Sequence, residues 1–217
     1  MLSYNSKFYQ IVTQIIDCAA LSLLWIVFSL PVITIGASTT ALYHAVDKVI
    51  RREDGSIWKE FWRVFRRDFK RATALWILML LICGVLVANF YAAFAHEWAN
   101  ESLQAFMQIA SVFLIALFAI WLQYWFPYLA RFDDPVKRIL KNTLAMMLAE
   151  TKVDFRLLLL FLVVTATDVI ISLRVPVLAV FMPVAYIISL NRVTERLFAR
   201  YIAWQEEAAQ PEQNNLP

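Results

Sequence analysis

Asp168 is the only ionisable side chain in the run 157–173, LLLLFLVVTATDVIISL. A carboxyl group in such a run is expensive to desolvate, so it faces a partner or a water-filled space. Thr165 and Thr167 add hydroxyls beside it. Two readings follow. Asp168 is a site for a proton, a cation or a substrate hydroxyl, or it pairs with Arg174 near the interface. Counted from the ends of their apolar runs, Asp17, Asn89, Gln108, Asp168 and Arg174 belong to the outer half of a helical bundle. Together they would line an outward-facing pocket. Separately, each is explained as a singly satisfied interfacial residue.

On the inner side stand His44, Asp47, Gln123, Arg131, Asp133 and Asn191. His44 lies one turn before Asp47 and Lys48, so a local hydrogen bond accounts for it. Cys18 and Cys83 both sit within apolar runs and predict neither a disulfide framework nor a metal site. No HExxH, CxxC, GxGxxG or GxxxxGK[ST] pattern is present. No converging acid, base and nucleophile can be read from the spacing, so neither an enzyme nor a cofactor is expected.

These polar groups must be positioned by long apolar elements. The chain of 217 residues is 61% hydrophobic and 17% charged, with a mean hydropathy of +0.62. Globular chains carry about 25% charged residues. The stretch 18–35 has no charge, and similar runs recur at about 72–95, 105–130, 157–173 and 175–190. Each is close to or above the roughly 18–20 residues that a helix needs to cross hydrocarbon. The expected fold is all-α, a polytopic transmembrane helical bundle of about five spans. It forms one domain over 1–209, followed by a disordered tail at 210–217. The first span is expected as one long helix, about 14–46, kinked at Pro31. In the alternative, the chain turns back near Gly36 and residues 36–50 return as another crossing, which puts the N-terminus inside.

The segments between runs sort by charge. Lys48 to Arg71 is strongly basic, 96–101 has no Lys or Arg, Arg131 to Arg156 is basic again, and Arg192, Arg196 and Arg200 follow the last run. Basic segments collect on the cytoplasmic side, which puts the C-terminus inside and, with five spans, the N-terminus outside.

Ser56 is a natural cap for a helix starting at Ile57. On it, Ile57, Trp58, Phe61, Trp62, Phe65 and Phe69 share one face; Lys59, Arg63, Arg66, Arg67 and Lys70 take the other. That pattern predicts an amphipathic helix lying in the inner interface, its basic face toward lipid phosphates or a protein partner. Packing beneath the bundle by the same aromatic face is an equally good account. Nucleic acid is not an expected partner, because the aromatics are committed to the opposite face. Ala37, Ala41 and Ala45, and likewise Gly84, Ala88 and Ala92, form stripes of small residues suited to close helix packing or a homo-oligomer seam.

The block 24–43, LWIVFSLPVITIGASTTALY, resembles the signature of the YesL-type family of bacterial integral membrane proteins, a family defined as a domain of unknown function. Phe61, Phe65 and Phe69 before the second span fit the same pattern. So do Phe126, Pro127, Arg131 and Phe132 after the third, and the C-terminal helix. The resemblance implies a small multi-pass protein of the bacterial plasma membrane, associated with saccharide uptake and acting as an accessory or transport-related component. It carries over no binding residues. The expected partners are membrane lipids, further copies of the chain and saccharide-transport components. The competing expectations are an oligomeric ion or small-solute channel and a structural or regulatory membrane partner.

Overall fold

The computed structural model describes residues 7–51, 56–95, 100–149, 151–174 and 181–214. Seven α-helices account for most of them: α1 (Lys7–Ser29), α2 (Ile35–Ala45), α3 (Ile57–Ala95), α4 (Glu101–Arg131), α5 (Val136–Ala149), α6 (Thr151–Arg174) and α7 (Met182–Asn214). No strand occurs among the described residues. Three helices contain stretches long and apolar enough to cross a membrane: α1 over Val12–Ser29, α3 and α4. The expected fourth run includes Asp168 and Ser172, whose side chains lie outside the described residues, and the expected fifth run begins within 175–180, which lies outside them too. α7 extends through most of the segment expected as a tail.

Pro31 does more than kink the first helix. It lacks an N–H and disfavours helical backbone at the preceding residue, so α1 ends at Ser29. A 3-10 turn, Val32–Thr34, then reverses the chain into α2. The Thr34 hydroxyl lies 2.6 Å from the Phe28 carbonyl and 2.7 Å from that of Pro31. It thus supplies a donor where the broken helix has none, a need that becomes acute in an apolar medium. Trp25 Nε1 donates to Thr39 Oγ1 at 3.1 Å, and Ser38 Oγ donates to the Trp25 carbonyl at 3.1 Å. Residues 14 apart in one helix would be about 21 Å distant. The long kinked helix over 14–46 is therefore not formed. α1 and α2 make an antiparallel hairpin, and the second half returns as the alternative reading had it. A π-helical turn, Val46–Arg51, prolongs α2 and also touches α1 and α7.

α2 is the most enclosed helix. Gly36, Ala37, Ser38, Thr40, Ala41, Leu42, Tyr43 and Ala45 are all buried, mainly against α3 and α4. The Ala37–Ala41–Ala45 stripe is thus internal packing. Gly84 and its neighbours Ala88 and Ala92 are exposed, so that stripe makes no packing seam within the chain.

α3 runs unbroken for 39 residues, about 58 Å. No proline or glycine lies between Ile57 and Cys83, so nothing ends the helix where the bases stop and the apolar run begins. The separate interfacial helix is accordingly not seen: its basic segment is the first half of α3. Its aromatic face packs inward. Phe61 and Phe65 are buried, and Phe28 inserts its ring among Trp58, Phe61, Trp62 and Phe65 with centroids 5.2–6.3 Å apart.

α4 is capped by Asn100, whose side chain accepts from the Ser102 and Leu103 amides, and it runs antiparallel to α3. Ser111 Oγ bonds Asn89 Oδ1 at 2.7 Å near one end of this pair, and Arg71 bonds the Asp134 carbonyl at the other. α5 packs across α4 through Trp121 Nε1 to Thr143 Oγ1, 3.1 Å. α7 runs parallel to α4, since Tyr186 meets Gln123 and Phe198 meets Phe132.

One close approach sets the position of α2. A Cβ built on Gly36 would lie 2.5 Å from the Ala72 carbonyl oxygen and 2.7 Å from Trp76 Cβ. In a free helix, alanine is better than glycine by about 1 kcal/mol. Here the obstacle is backbone, which cannot swing aside. Gly36→Ala should therefore lower the thermal unfolding temperature in detergent, with overpacking costing about 1–3 kcal/mol. Gly84→Ala, where nothing lies within 4 Å, should leave it unchanged or raise it. A neutral Gly36→Ala would contradict the close packing of α2 on α3.

Candidate functional site

Two arrangements of polar groups emerge, one ionic and one neutral. The ionic one lies along the first half of α3. Glu60 and Asp68 are buried there, the latter completely. Glu60 Oε1 accepts from Lys48 Nζ at 3.1 Å, and its other oxygen pairs with Arg63. His44, from α2, reaches the same carboxylate at 3.4 Å. Its Nδ1 lies 3.4 Å from the Ala130 carbonyl and its Nε2 lies 3.3 Å from Arg63. A proton on Nδ1 satisfies both contacts, donating to the carbonyl while Nε2 accepts from the guanidinium. Asp68 is held by Arg67 at 2.7 Å and by Arg71, which also pairs with Asp133. Asp134 continues the cluster, accepting from Tyr128 at 2.7 Å and from Arg138 at 2.9 Å. Asn142 donates to the same Tyr128 hydroxyl at 2.8 Å.

This cluster ties α2, α3, α4 and α5 together. It also divides the predicted basic face. All five are exposed, but Arg63 and Arg67 pair with buried carboxylates, whereas Lys59, Arg66 and Lys70 make no ion pair among the described residues. Arg66 lies over the Trp62 ring at 5.1 Å. Glu60 and Asp68 were not singled out from sequence. Their signal was present in part: each acid stands four residues before a buried apolar residue, Glu60 before Val64 and Asp68 before Ala72, where an acid must find a partner.

The neutral arrangement is a cavity of about 630 Å³ enclosed by α1, α2, α3, α4, α6 and α7. Its walls are mainly apolar: Leu42, Met79, Leu122, Phe126, Phe161, Val164 and Ile187 among them. Trp25, Thr39, Tyr43, Gln123, Thr165 and Tyr186 supply its polar atoms. Tyr186 donates to Gln123 Oε1 at 3.1 Å, and the Gln123 amide donates back to the Ala119 carbonyl at 3.4 Å. None of the described residues lining it is charged. Pro183 and Met182 begin α7 at its rim.

The residues expected to share an outward pocket are not gathered there. Asp17 is half-buried and, with Ser56, Ile57 and Trp58, lines a second cavity of about 740 Å³ at the start of α3. Asn89 is near the other end of α3, bound to Ser111. Gln108 donates to the Ala93 carbonyl at 3.4 Å, beside that same end. Arg174 is exposed at the last residue of α6. Asp168 falls in the same helix, and its side chain lies outside the described residues. Thr165, one turn earlier, reaches the central cavity. Gln123, named from sequence as an inner-side polar residue, is the one that the fold brings into the cavity.

Residues 18–90 match a family described as "Protein of unknown function, DUF624". The matched segment spans most of α1, the reversal, α2 and nearly all of α3, and so contains Gly36, Glu60 and Asp68. Neither a curated protein nor a solved structure matches the chain.

Burial of the Glu60 carboxyl would raise its pKa, but the Lys48 hydrogen bond and the charges of Arg63 and Lys48 outweigh it and hold it below the ordinary 4.5. A depressed carboxylate contributes stability above its unfolded pKa and loses it as pH falls through the folded one. At pH 7, Glu60→Gln should cost about 2 kcal/mol, because Lys48 and the exposed Arg63 lose a charged acceptor. The gap between wild type and variant should close as pH drops below 4.5. Thermal unfolding measured between pH 7 and pH 3 checks this. A gap independent of pH would show that Glu60 acts by shape alone.

Proposed function

We propose that this chain is a non-enzymatic, multi-pass protein of the bacterial plasma membrane that serves as an accessory or transport-related component of saccharide uptake. Several membrane crossings, basic segments toward the cytoplasm and membership of the YesL-type group form part of that reading. The observation that carries it is the central cavity, where Gln123, Tyr186, Thr39 and Tyr43 bring hydrogen-bonding groups among aromatic rings deep in the apolar part of the bundle. Aromatic faces with a few fixed polar groups are the usual lining of small-molecule sites, and about 630 Å³ is within their common size. Uptake of radiolabelled mono- and oligosaccharides by cells lacking the chain, and by cells restored with wild type or Tyr186→Phe, tests it. Loss of the chain should slow uptake of at least one saccharide. Tyr186→Phe should restore it only partly, by about the fivefold that one hydrogen bond represents. Unchanged uptake of every sugar without the chain would overturn the proposal.

A second reading has its own observation. Lys59, Arg66 and Lys70 remain exposed after Arg63 and Arg67 are committed to Glu60 and Asp68. They support a regulatory membrane protein that engages anionic lipid headgroups. Replacing these three with Gln should weaken retention of anionic lipid by the purified protein, at about 1 kcal/mol per charge, without changing its unfolding temperature. Equal lipid retention by wild type and triple variant would reject it.

A further inference from the structure

The cavity has a composition and an opening that together specify a class of ligand, and the inference rests on the cavity reading just given. The polar side chains that line it are neutral hydrogen-bonding groups, which suit a ligand without formal charges. Four of its polar side chains pair across helices. Gln123 and Tyr186 form one hydrogen-bonded pair, and Trp25 and Thr39 form another. Asn191 lies one turn beyond Ile187 on the same face of α7. It is 2% exposed, and its Nδ2 has no hydrogen-bond partner among the described groups. Most of the remaining wall is hydrocarbon and aromatic.

The opening is lateral. Ile26 on α1 and Phe161 and Thr165 on α6 line the cavity and are also exposed. These three lie on apolar helices. Ile26 is in the apolar stretch of α1, and Phe161 has Leu159, Leu162 and Val163 exposed around it. A ligand passing between α1 and α6 therefore arrives from a hydrocarbon medium and not from water. Such a ligand must itself be apolar over much of its surface.

From these observations we infer that the cavity binds an uncharged amphiphile, with an alkyl chain among the apolar walls and a polyhydroxyl head at Gln123 and Tyr186, admitted from the bilayer between α1 and α6. The head accepts and donates hydrogen bonds at the Gln123–Tyr186 pair. The chain displaces no fixed polar group. This occupant keeps the saccharide chemistry of the proposed function but changes the phase from which it is drawn.

The test uses the full-length protein in lipid nanodiscs and three radiolabelled probes below their micelle-forming concentrations: octyl glucoside, glucose and octyl phosphocholine. Octyl glucoside should bind saturably, and Tyr186→Phe should weaken it about fivefold, as expected for one lost hydrogen bond. Tyr186→Phe keeps the ring and so preserves packing; equal unfolding temperatures for the two proteins verify this. Glucose should bind at least tenfold more weakly for want of a chain, and octyl phosphocholine likewise for its charges. If glucose binds as tightly as octyl glucoside, the amphiphile is wrong while saccharide recognition stands. If octyl phosphocholine binds as tightly, or Tyr186→Phe has no effect, the head is not recognised at this pair and the inference fails. If none of the three binds saturably, the inference and the cavity reading beneath it fail together.

Discussion

The contact of Gly36 with the backbone of Ala72 is the constraint on which the rest of the structure depends. It lets α2 lie against α3 with no side chain between them, and every turn of α2 is consequently buried. Because α2 is fixed there, the reversal at Pro31 returns the chain along α1 and brings Trp25 to Thr39 and Ser38. The reversal is stabilised by Thr34, whose hydroxyl stands in for the amides lost at the helix break. Thr39, Leu42 and Tyr43 then form one wall of the central cavity. A methyl group at one position would therefore be felt in the hairpin, the helix contact and the cavity together.

The first half of α3 solves a different problem. It continues an apolar helix as a basic one and must still pack against α2 and α4. Burying acids beside aromatics would be costly unless cations accompany them. Glu60 and Asp68 are those acids: Glu60 is held by Lys48 and Arg63, and Asp68 by Arg67 and Arg71 of its own helix. Phe28, threaded among the aromatics of the same helix, supplies the apolar part of that interface. Charges that read as a uniform solvated face are thus two populations: one fixes the helices, and the other remains available at the surface.

Above this ionic base the interior becomes neutral. Gln123 and Tyr186 satisfy each other, and Trp25 satisfies Thr39, so polar atoms can line the cavity without a counter-ion. The two regions share helices but not chemistry. The ionic cluster holds helices together, and the neutral cavity has room for a ligand.

The amino-acid sequence alone determined the medium and the helices. Long uncharged runs require helices whose backbone groups are satisfied internally, and the three long apolar helices, the Asn100 cap and the start of α5 after Pro135 are all local consequences of residue type. The inward aromatic face of 57–69 was legible for the same reason, because helical periodicity is local. Tertiary structure decided what lay between elements. A proline ends or kinks a helix with equal ease, and the contacts of Trp25 with Thr39 and Ser38 distinguish a hairpin from a bend. Helix rotation separates Asp17 from Asn89 and turns Gln123 toward Tyr186, and rotation is fixed by side chains on other helices. The Glu60–Arg63 and Asp68–Arg71 pairs are local to one helix, but the links of Glu60 to Lys48, of Arg71 to Asp133, and the shared space around Gln123 depend on contacts between residues distant in the chain, which periodicity along one helix cannot encode.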